Sequence, residues 1–163
     1  MPIASTDLKY RLSGGAANST PITSLGGVKS SVDMPTGIFD DLTSAQAAAG
    51  LTEYRCIYVH NAHGALAALI AKIWLLTNTT GSRIAIGVGT SAINATEQTT
   101  ASETAAPVGV TFSTAPINLA TGLDLGEIPA GQHKAVWLRR TVTAGASLTT
   151  DTFTLRVQCD TNP

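Results

Sequence analysis

The sequence predicts an all-β protein, an antiparallel β-sandwich of the jelly-roll or immunoglobulin-like type, with an extended N-terminal arm and one short helix. Three observations predict this class. Segments that alternate apolar and polar residues recur along the 163-residue chain, turn residues separate them, and only one segment has the composition of a helix. We expect the arm to span residues 1–37 and the sandwich domain to span residues 38–163.

The arm is predicted from one short strand and the long aperiodic segment that follows it. Residues 7–12 alternate, with Leu8, Tyr10 and Leu12 on one face. Residues 13–37 contain glycine pairs, prolines and isolated aliphatic residues, and a structureless loop of that length is uncommon inside a compact domain. A flexible linker needs no aliphatic side chains, so we interpret the segment as an arm that lies on another surface. Its candidate contact residues are Leu8, Tyr10, Leu12, Ile22, Leu25 and Val28.

The helix is predicted at residues 43–49. Alanines favour it, Thr43 or Asp41 can cap its N-terminus, and Gly50 can end it. Asp40 and Asp41 could also form a pair of carboxylates for hydrolysis or for calcium. We prefer a role at the helix N-terminus, where carboxylates stabilise the dipole and bind free amides.

From residue 53 onwards the pattern is that of β-strands. The strand at 132–142 has Val136 and Leu138 on one face and Ala135 and Trp137 on the other, so both faces of its sheet should be partly covered. Such coverage is common where a sandwich also packs against a second subunit, so the candidate interface also includes Trp137, Arg139 and Arg140. Strands are predicted at 53–60, 71–77, 83–89, 108–112, 119–125, 132–142 and 152–159.

The chain is poor in charge. Charged residues make up 13 % of it, against about 25 % in an average soluble domain, and the net charge is −1. Serine, threonine, alanine and glycine must therefore cover much of its surface, as in permanent assemblies whose interfaces are depleted in charge. The sequence has no basic patch beyond Arg139 and Arg140, which argues against direct nucleic-acid binding. It has no apolar run of about 20 residues and no export signal, so we expect no membrane partner and synthesis in a cytoplasm.

The candidates for chemistry are weak. His60 and His63 form an H-x-x-H pair, but a zinc site needs three or four ligands, and no matching spacing exists. Gly87 and Gly89 do not open a helix after a strand, so they indicate a strand that packs closely rather than a phosphate loop. Asp124 and Glu127 suit a turn. We expect no enzymatic activity, no catalytic residue, no metal, no cofactor and no small-molecule substrate.

Two further groups leave alternatives open. Cys56 and Cys159 lie in strand-like segments, where two thiols are favoured, although the sequence does not decide against a disulfide. The aromatic residues could form a sugar-stacking platform, but on strands core packing is the favoured role. The residues concerned are Tyr10, Tyr54, Tyr58, Trp74 and Trp137.

Several blocks of the chain resemble small virion structural proteins of tailed bacteriophages, of the decoration or cement type. The resemblance covers roughly residues 38–161 and has no single diagnostic motif. It implies a non-enzymatic role, a β-sandwich and many copies per particle. The blocks are 53–61, the strand around Trp74, 83–87, 128–131, 135–142 and 151–157.

We therefore expect a decoration protein on the exterior of a phage capsid, made in the cytoplasm of the bacterial host. Its expected partners are the major capsid protein and copies of itself, as a homotrimer, and removal of the arm should abolish capsid binding and leave a folded sandwich. One alternative is a tail, neck or baseplate component. Another is a carbohydrate-binding module for host attachment.

Overall fold

The structure is a computed structural model, and it describes residues 2–78, 82–146 and 152–161. It confirms the predicted class, because it consists mostly of antiparallel strands in several sheets, with one short α-helix. The elements in chain order are β1 Leu8–Leu12, a 3₁₀ turn Pro21–Thr23, β2 Gly26–Gly27, α1 Ser44–Ala49, β3 Leu51–Asn61, β4 Ala68–Asn78, β5 Ser82–Val88, β6 Glu97–Thr99, β7 Leu123–Ile128, β8 His133–Val142 and β9 Phe153–Asp160.

Two sheets form the layers of the sandwich. The main sheet has the strand order β1-β3-β8-β5, the second sheet has the order β7-β4-β9, and a small sheet pairs β2 with β6. All these strand pairs are antiparallel. The core lies between the inner faces of the main and second sheets, where every second residue of a strand points inwards. Its fully buried members include Leu12, Ile57, Ile73, Leu75, Ile86, Ile128, Val136 and Leu138.

The helix α1 confirms the prediction made from the sequence. The backbone N–H of Gln46 donates to Thr43 Oγ1 at 3.2 Å, and the backbone N–H of Thr43 donates to Gln46 Oε1 at 2.8 Å. This reciprocal pair is a capping box, so Thr43 rather than Asp41 caps the helix. Gly50 ends the helix at a φ of 79°, in the region that favours glycine.

Two predicted strands in the second half of the chain are wrong or displaced. Residues 108–112 do not form a strand, and β7 begins at Leu123 rather than at residue 119. Val110 and Phe112 pack by their side chains against the outer face of the main sheet instead. A short bridge follows, in which Ser113 and Ile86 exchange two backbone hydrogen bonds of 2.9 and 3.0 Å. The alternation at 108–112 therefore reflects packing onto a sheet and not pairing within one.

The outer face of the main sheet is covered by the chain itself. Cys56, Tyr58, Ala135 and Trp137 form a second buried cluster on this face, and each is fully buried. The small sheet lies over it: the Tyr58 hydroxyl donates to the backbone carbonyl of Gly27 in β2 and accepts from the backbone N–H of Glu97 in β6 at 2.9 Å. Both faces of β8 are thus covered, as its sequence indicates, but no second subunit is needed for this.

Residues 13–37 do not extend away from the sandwich, which corrects the expectation of an arm. Ser13, Ser24 and Ser30 are fully buried against it. The backbone N–H of Cys56 donates to the Ser24 carbonyl at 2.7 Å, which fixes the segment to β3. Further along, Met34 donates to the Tyr10 carbonyl at 2.7 Å, so residues 30–34 lie along the edge of β1. Of the aliphatic side chains that suggested a foreign surface, Val32 and Met34 pack against the protein's own core, whereas Ile22 and Val28 are exposed.

Candidate functional site

Five charged residues form a cluster where β3 begins and β8 ends: Asp40, Glu53, Arg55, Glu103 and Arg140. We call this set the carboxylate–arginine cluster. Arg140 Nη2 lies 2.9 Å from Glu53 Oε2, and Arg55 Nη2 lies 2.8 Å from Glu103 Oε2. Arg55 Nη2 also lies 3.3 Å from Asp40 Oδ1. Arg55 and Glu53 are almost completely buried, so the ion pairs close one end of the core between the sheets.

Phe39 completes this cluster. Its ring centroid lies 5.4 Å from the Arg55 guanidinium carbon and 4.9 Å from that of Arg140. The same ring meets the edge of Phe153 in β9 at a centroid distance of 6.3 Å. The two guanidinium groups therefore lie over the face of an aromatic ring, a favourable cation–π arrangement. Through Phe39, the segment before α1 is held between the two main layers.

The cluster brings three carboxylates together, those of Asp40, Glu53 and Glu103, with oxygen atoms within 4.8 Å of one another. Carboxylates in such a group are suitable ligands for a hard cation. Here, however, Arg55 and Arg140 lie among the same oxygens at 2.8 to 3.8 Å and offset two of the three negative charges. Burial raises the pKa of Glu53, and the hydrogen bond and charge of Arg140 oppose that rise. The arrangement is typical of a structural ion-pair network. It also corrects the expected role of Asp40, which binds these arginines instead of the helix N-terminus.

Four of the predicted interface residues are not available to a partner in this structure. Leu8 and Leu12 lie in the core between the sheets, and Trp137 lies in the outer cluster. Arg140 belongs to the carboxylate–arginine cluster. An alternating strand shows which residues share a face, but it does not show whether the same chain or another one covers that face.

The other predicted interface residues are partly or fully accessible. Tyr10 and Leu25 are half-buried. Arg139 places its guanidinium carbon 5.2 Å from the centroid of Phe112, on the outer side of the main sheet. Ile22 and Val28 are exposed. The structure therefore leaves a smaller set of these residues for contacts with other molecules than the sequence indicates.

His60 and His63 do not converge on one site. His63 Nδ1 accepts hydrogen bonds from the backbone N–H groups of Ala65 and Leu66, at 3.1 and 2.9 Å, and so closes the turn after β3. His60 instead lies opposite His133 across the β3–β8 pair. Burial and the nearby Lys29 lower the pKa of both His60 and His133, that of His133 to about 4. Both imidazoles are therefore neutral at pH 7.

The remaining candidates have structural roles. Asp124 Oδ1 accepts from the backbone N–H of Gly126 at 2.8 Å inside β7, so it stabilises an irregularity of this strand and not the turn expected from the sequence. A Cβ atom on Gly87 would lie 2.6 Å from Val110 Cγ1, so Gly87 is where the outer segment packs closely on the main sheet. Cys56 and Cys159 are free thiols, buried and half-buried respectively, and burial raises the pKa of each.

The aromatic residues do not form an exposed platform. Tyr58, Trp74 and Trp137 are buried, whereas Tyr10 and Tyr54 are half-buried. Every aromatic side chain of the chain lies in the described residues, and none of them is exposed. A flat aromatic face that could stack on a sugar ring is therefore not present on this surface.

Several large aliphatic side chains are exposed, and sequence reasoning missed the most prominent of them. Val108 is 80 % exposed and Ile117 is 60 % exposed, and Leu119 is close to them in the chain. The backbone that carries them is held by hydrogen bonds. The Gln98 amide both donates to the Val108 carbonyl at 2.7 Å and accepts from the Val108 N–H at 2.8 Å. The full exposed set is Ile22, Val28, Ile70, Leu76, Val108, Ile117 and Leu119.

A groove of about 450 Å³ runs between the N-terminal part of the main sheet and β9. One wall consists of residues 3–5 with Leu8 and Tyr10, and the other consists of residues 155–159. Burial raises the pKa of Tyr10, while the backbone amide of Val157 and the nearby Arg156 oppose the rise. The Tyr10 hydroxyl thus lies across the groove, next to the backbone of β9.

Comparison of the chain with protein-family models, with characterised proteins and with solved structures finds no match. Of the helices in the described residues, none has the length and apolar character needed to cross a bilayer.

Proposed function

We propose that this chain is a non-enzymatic structural protein of a phage virion, a decoration or cement protein that binds the capsid exterior. The observation that carries the proposal is the exposure of Val108 and Ile117 on a backbone held in place by hydrogen bonds. A contiguous exposed apolar patch marks a contact surface, and we infer that these two residues, both in the connection between β6 and β7, contribute to one such patch. We call the exposed residues Val108, Ile117 and Leu119 the apolar loop surface.

The charge distribution supports the same proposal. Only 13 % of the residues are charged, and five of the charged side chains are committed to the carboxylate–arginine cluster, in which Glu53 and Arg55 are buried. The remaining surface is poor in charge, as the cores of stable interfaces are. The carboxylates that lie close together are already paired with arginine.

The proposed contact differs from the one expected from the sequence. Residues 13–37 cover their own main sheet, so the apolar loop surface, not an arm, would meet the major capsid protein. A stable contact of this kind needs about 1,200 Å² or more of total buried area. Binding of many copies at symmetric positions would then reinforce the shell.

The experiment is a co-sedimentation assay of the purified chain with capsid shells that lack it. Val108→Asp and Ile117→Asp should each weaken binding by about tenfold or more, because each places a charge in the contact. The matched control is Thr114→Asp, which adds the same charge at an exposed position in the same loop. Shell binding by both apolar-loop variants with the affinity of the unmodified chain would overturn the proposal.

A further inference from the structure

β9 has one paired side and one open side. It pairs with β4 in the second sheet, and no backbone group of the described residues pairs with its other side. Two other edges are covered: residues 30–34 lie along β1, and Ser113 bonds to β5 at Ile86. The edge of β7 is interrupted at Gly126, which has a φ of 76°. An open, regular edge strand is a template for pairing with another strand.

The backbone of β9 is regular enough for such pairing. The register irregularities of the β4–β9 pair place the extra residue in β4: between two matched pairs β4 advances from Leu69 to Lys72 while β9 moves only from Asp160 to Gln158. The Val157 amide lies next to the Tyr10 hydroxyl, on the open side. In an antiparallel strand, the N–H and C=O of alternate residues face the same side, so Leu155 and Cys159 also offer theirs there.

The groove beside β9 has room for the side chains of an added strand. Its walls include the apolar side chains of Ile3, Leu8 and Val157. A strand placed next to β9 would point every second side chain into this space, while its other side chains would continue the exposed face that carries Arg156 and Asp160.

The charges on that exposed face indicate which strand would pair with the open side of β9. Arg156 and Asp160 make no ion pair with any described residue. They lie four residues apart on one strand, which separates them by about 13 Å, so they cannot pair with each other. A second β9 running antiparallel presents the same two charges in reverse order. Each arginine can then lie opposite an aspartate.

We propose that β9 pairs antiparallel with β9 of a second copy of this chain, with the two-fold axis at Gln158. In this register Arg156 of each copy lies directly opposite Asp160 of the other, and Val157 lies beside Cys159. An axis at Arg156 would place two arginines opposite each other. An axis at Val157 would leave both charges opposite uncharged residues. The Gln158 register is therefore the one that satisfies the charges.

This pairing joins the two second sheets into one continuous sheet through about four backbone hydrogen bonds, two from each Val157–Cys159 pair. A carbonyl of the second copy would replace the Tyr10 hydroxyl at the Val157 amide. The contact is isologous and two-fold, and so it differs from the trimer expected from the resemblance to decoration proteins. It is a property of the isolated chain and does not depend on the proposed function.

Cysteine cross-linking tests the register. In this arrangement the two Gln158 residues form a non-hydrogen-bonded pair with Cα atoms about 4.5 Å apart, within the range that a disulfide spans. In a Cys159→Ser background, Gln158→Cys should form a covalent dimer under mild oxidation. The matched control is Thr154→Cys, also exposed on β9 but far from its counterpart in the second copy. Equal cross-linking of both variants, or none with Gln158→Cys, would overturn the register.

Charge reversal tests the pairing without a cross-link. Arg156→Asp and Asp160→Arg should each raise the dimer dissociation constant in sedimentation equilibrium by about tenfold or more, because each creates two like-charge pairs. The double variant restores opposite charges at both positions and should recover most of the affinity. A chain that is monomeric at all concentrations, a trimer, or a double variant as weak as the single ones would contradict the proposal.

Discussion

At the scale of single residues, the most informative side chains are those of the carboxylate–arginine cluster. The sequence shows the cations only as charged positions in strands and Asp40 only as a residue before a helix. The ion pairs between these residues cannot be predicted from local sequence patterns, because Arg140 and Glu53 are 87 residues apart and Arg55 and Glu103 are 48 residues apart. Local patterns report on neighbours three or four residues away, whereas these contacts depend on how the whole chain folds.

Replacement of Glu53 by glutamine tests the role of this cluster. The variant removes a buried negative charge that lies 2.9 Å from Arg140 and 3.5 Å from Arg55. Because Arg140 then keeps only Asp40 of these carboxylates, at 3.8 Å, we expect the free energy of unfolding to fall by about 3 kcal/mol. Urea denaturation measures this. Glu127→Gln, at an exposed carboxylate, is the control, and an equal effect of the two substitutions would contradict a structural role for Glu53.

His133 gives the protein a predicted pH dependence. Burial, Lys29 and His60 lower its pKa from 6.5 to about 4 in the folded chain. Between these pH values the unfolded chain binds a proton that the folded chain does not, so the free energy of unfolding should decrease as the pH is lowered from about 6.5 towards 4. His60 contributes with the same sign.

Urea denaturation at several pH values between 7 and 5 checks this. His133→Gln should show a smaller decrease in unfolding free energy over that interval than the unmodified chain. His63→Gln is the control, because His63 lies in the turn after β3 and away from this pair. The same pH slope for the unmodified chain and His133→Gln would show that His133 does not carry the effect.

At the scale of elements, the main sheet shows what periodicity can and cannot predict. Alternation in β3, β8 and β9 predicts these strands closely, and the capping residues predict α1. The covers of the outer face come from segments without periodicity, and β2 and β6 have only two and three residues. The sequence therefore predicts that both faces of β8 are covered, but not by which part of the molecule.

Gly87→Ala tests how tightly the outer cover packs on the main sheet. The added Cβ would lie 2.6 Å from Val110 Cγ1 and 2.7 Å from the Thr111 carbonyl oxygen, too close for van der Waals contact. We expect a loss of about 1–3 kcal/mol in unfolding free energy. Gly64→Ala is the control, since nothing lies within 4 Å of its Cβ position. If both variants unfold at the urea concentration of the unmodified chain, the cover is not packed as described.

At the scale of the whole molecule, residues 2–37 are part of the sandwich. They supply β1, the cover of the β1 edge and the serine contacts to β3. Their removal should therefore abolish cooperative thermal unfolding in circular dichroism, rather than leave the folded sandwich expected from the sequence. Deletion of residues 1 and 2 alone is the control. A cooperative transition in the variant lacking residues 1–37 would show that the remaining strands form an independent domain.

The candidate site is also a property of the whole molecule. The sequence identifies a protein short of charge, and this observation still supports a role in assembly. It does not identify the surface, because Leu8, Leu12 and Trp137, three of its apolar interface candidates, are buried within the protein itself. Val108 precedes the residues that pack on the outside of the main sheet, whereas Ile117 follows Pro116, whose carbonyl accepts from the Leu75 N–H in the second sheet. No local pattern encodes this path.

The central proposal is that this chain is a structural component of a capsid surface, and its copy number tests that most directly. Quantitative mass spectrometry of purified phage particles should find it in a fixed ratio to the major capsid protein and in comparable numbers. A few copies per particle would indicate a tail, neck or baseplate component instead. Absence from intact particles would contradict the proposed virion role altogether.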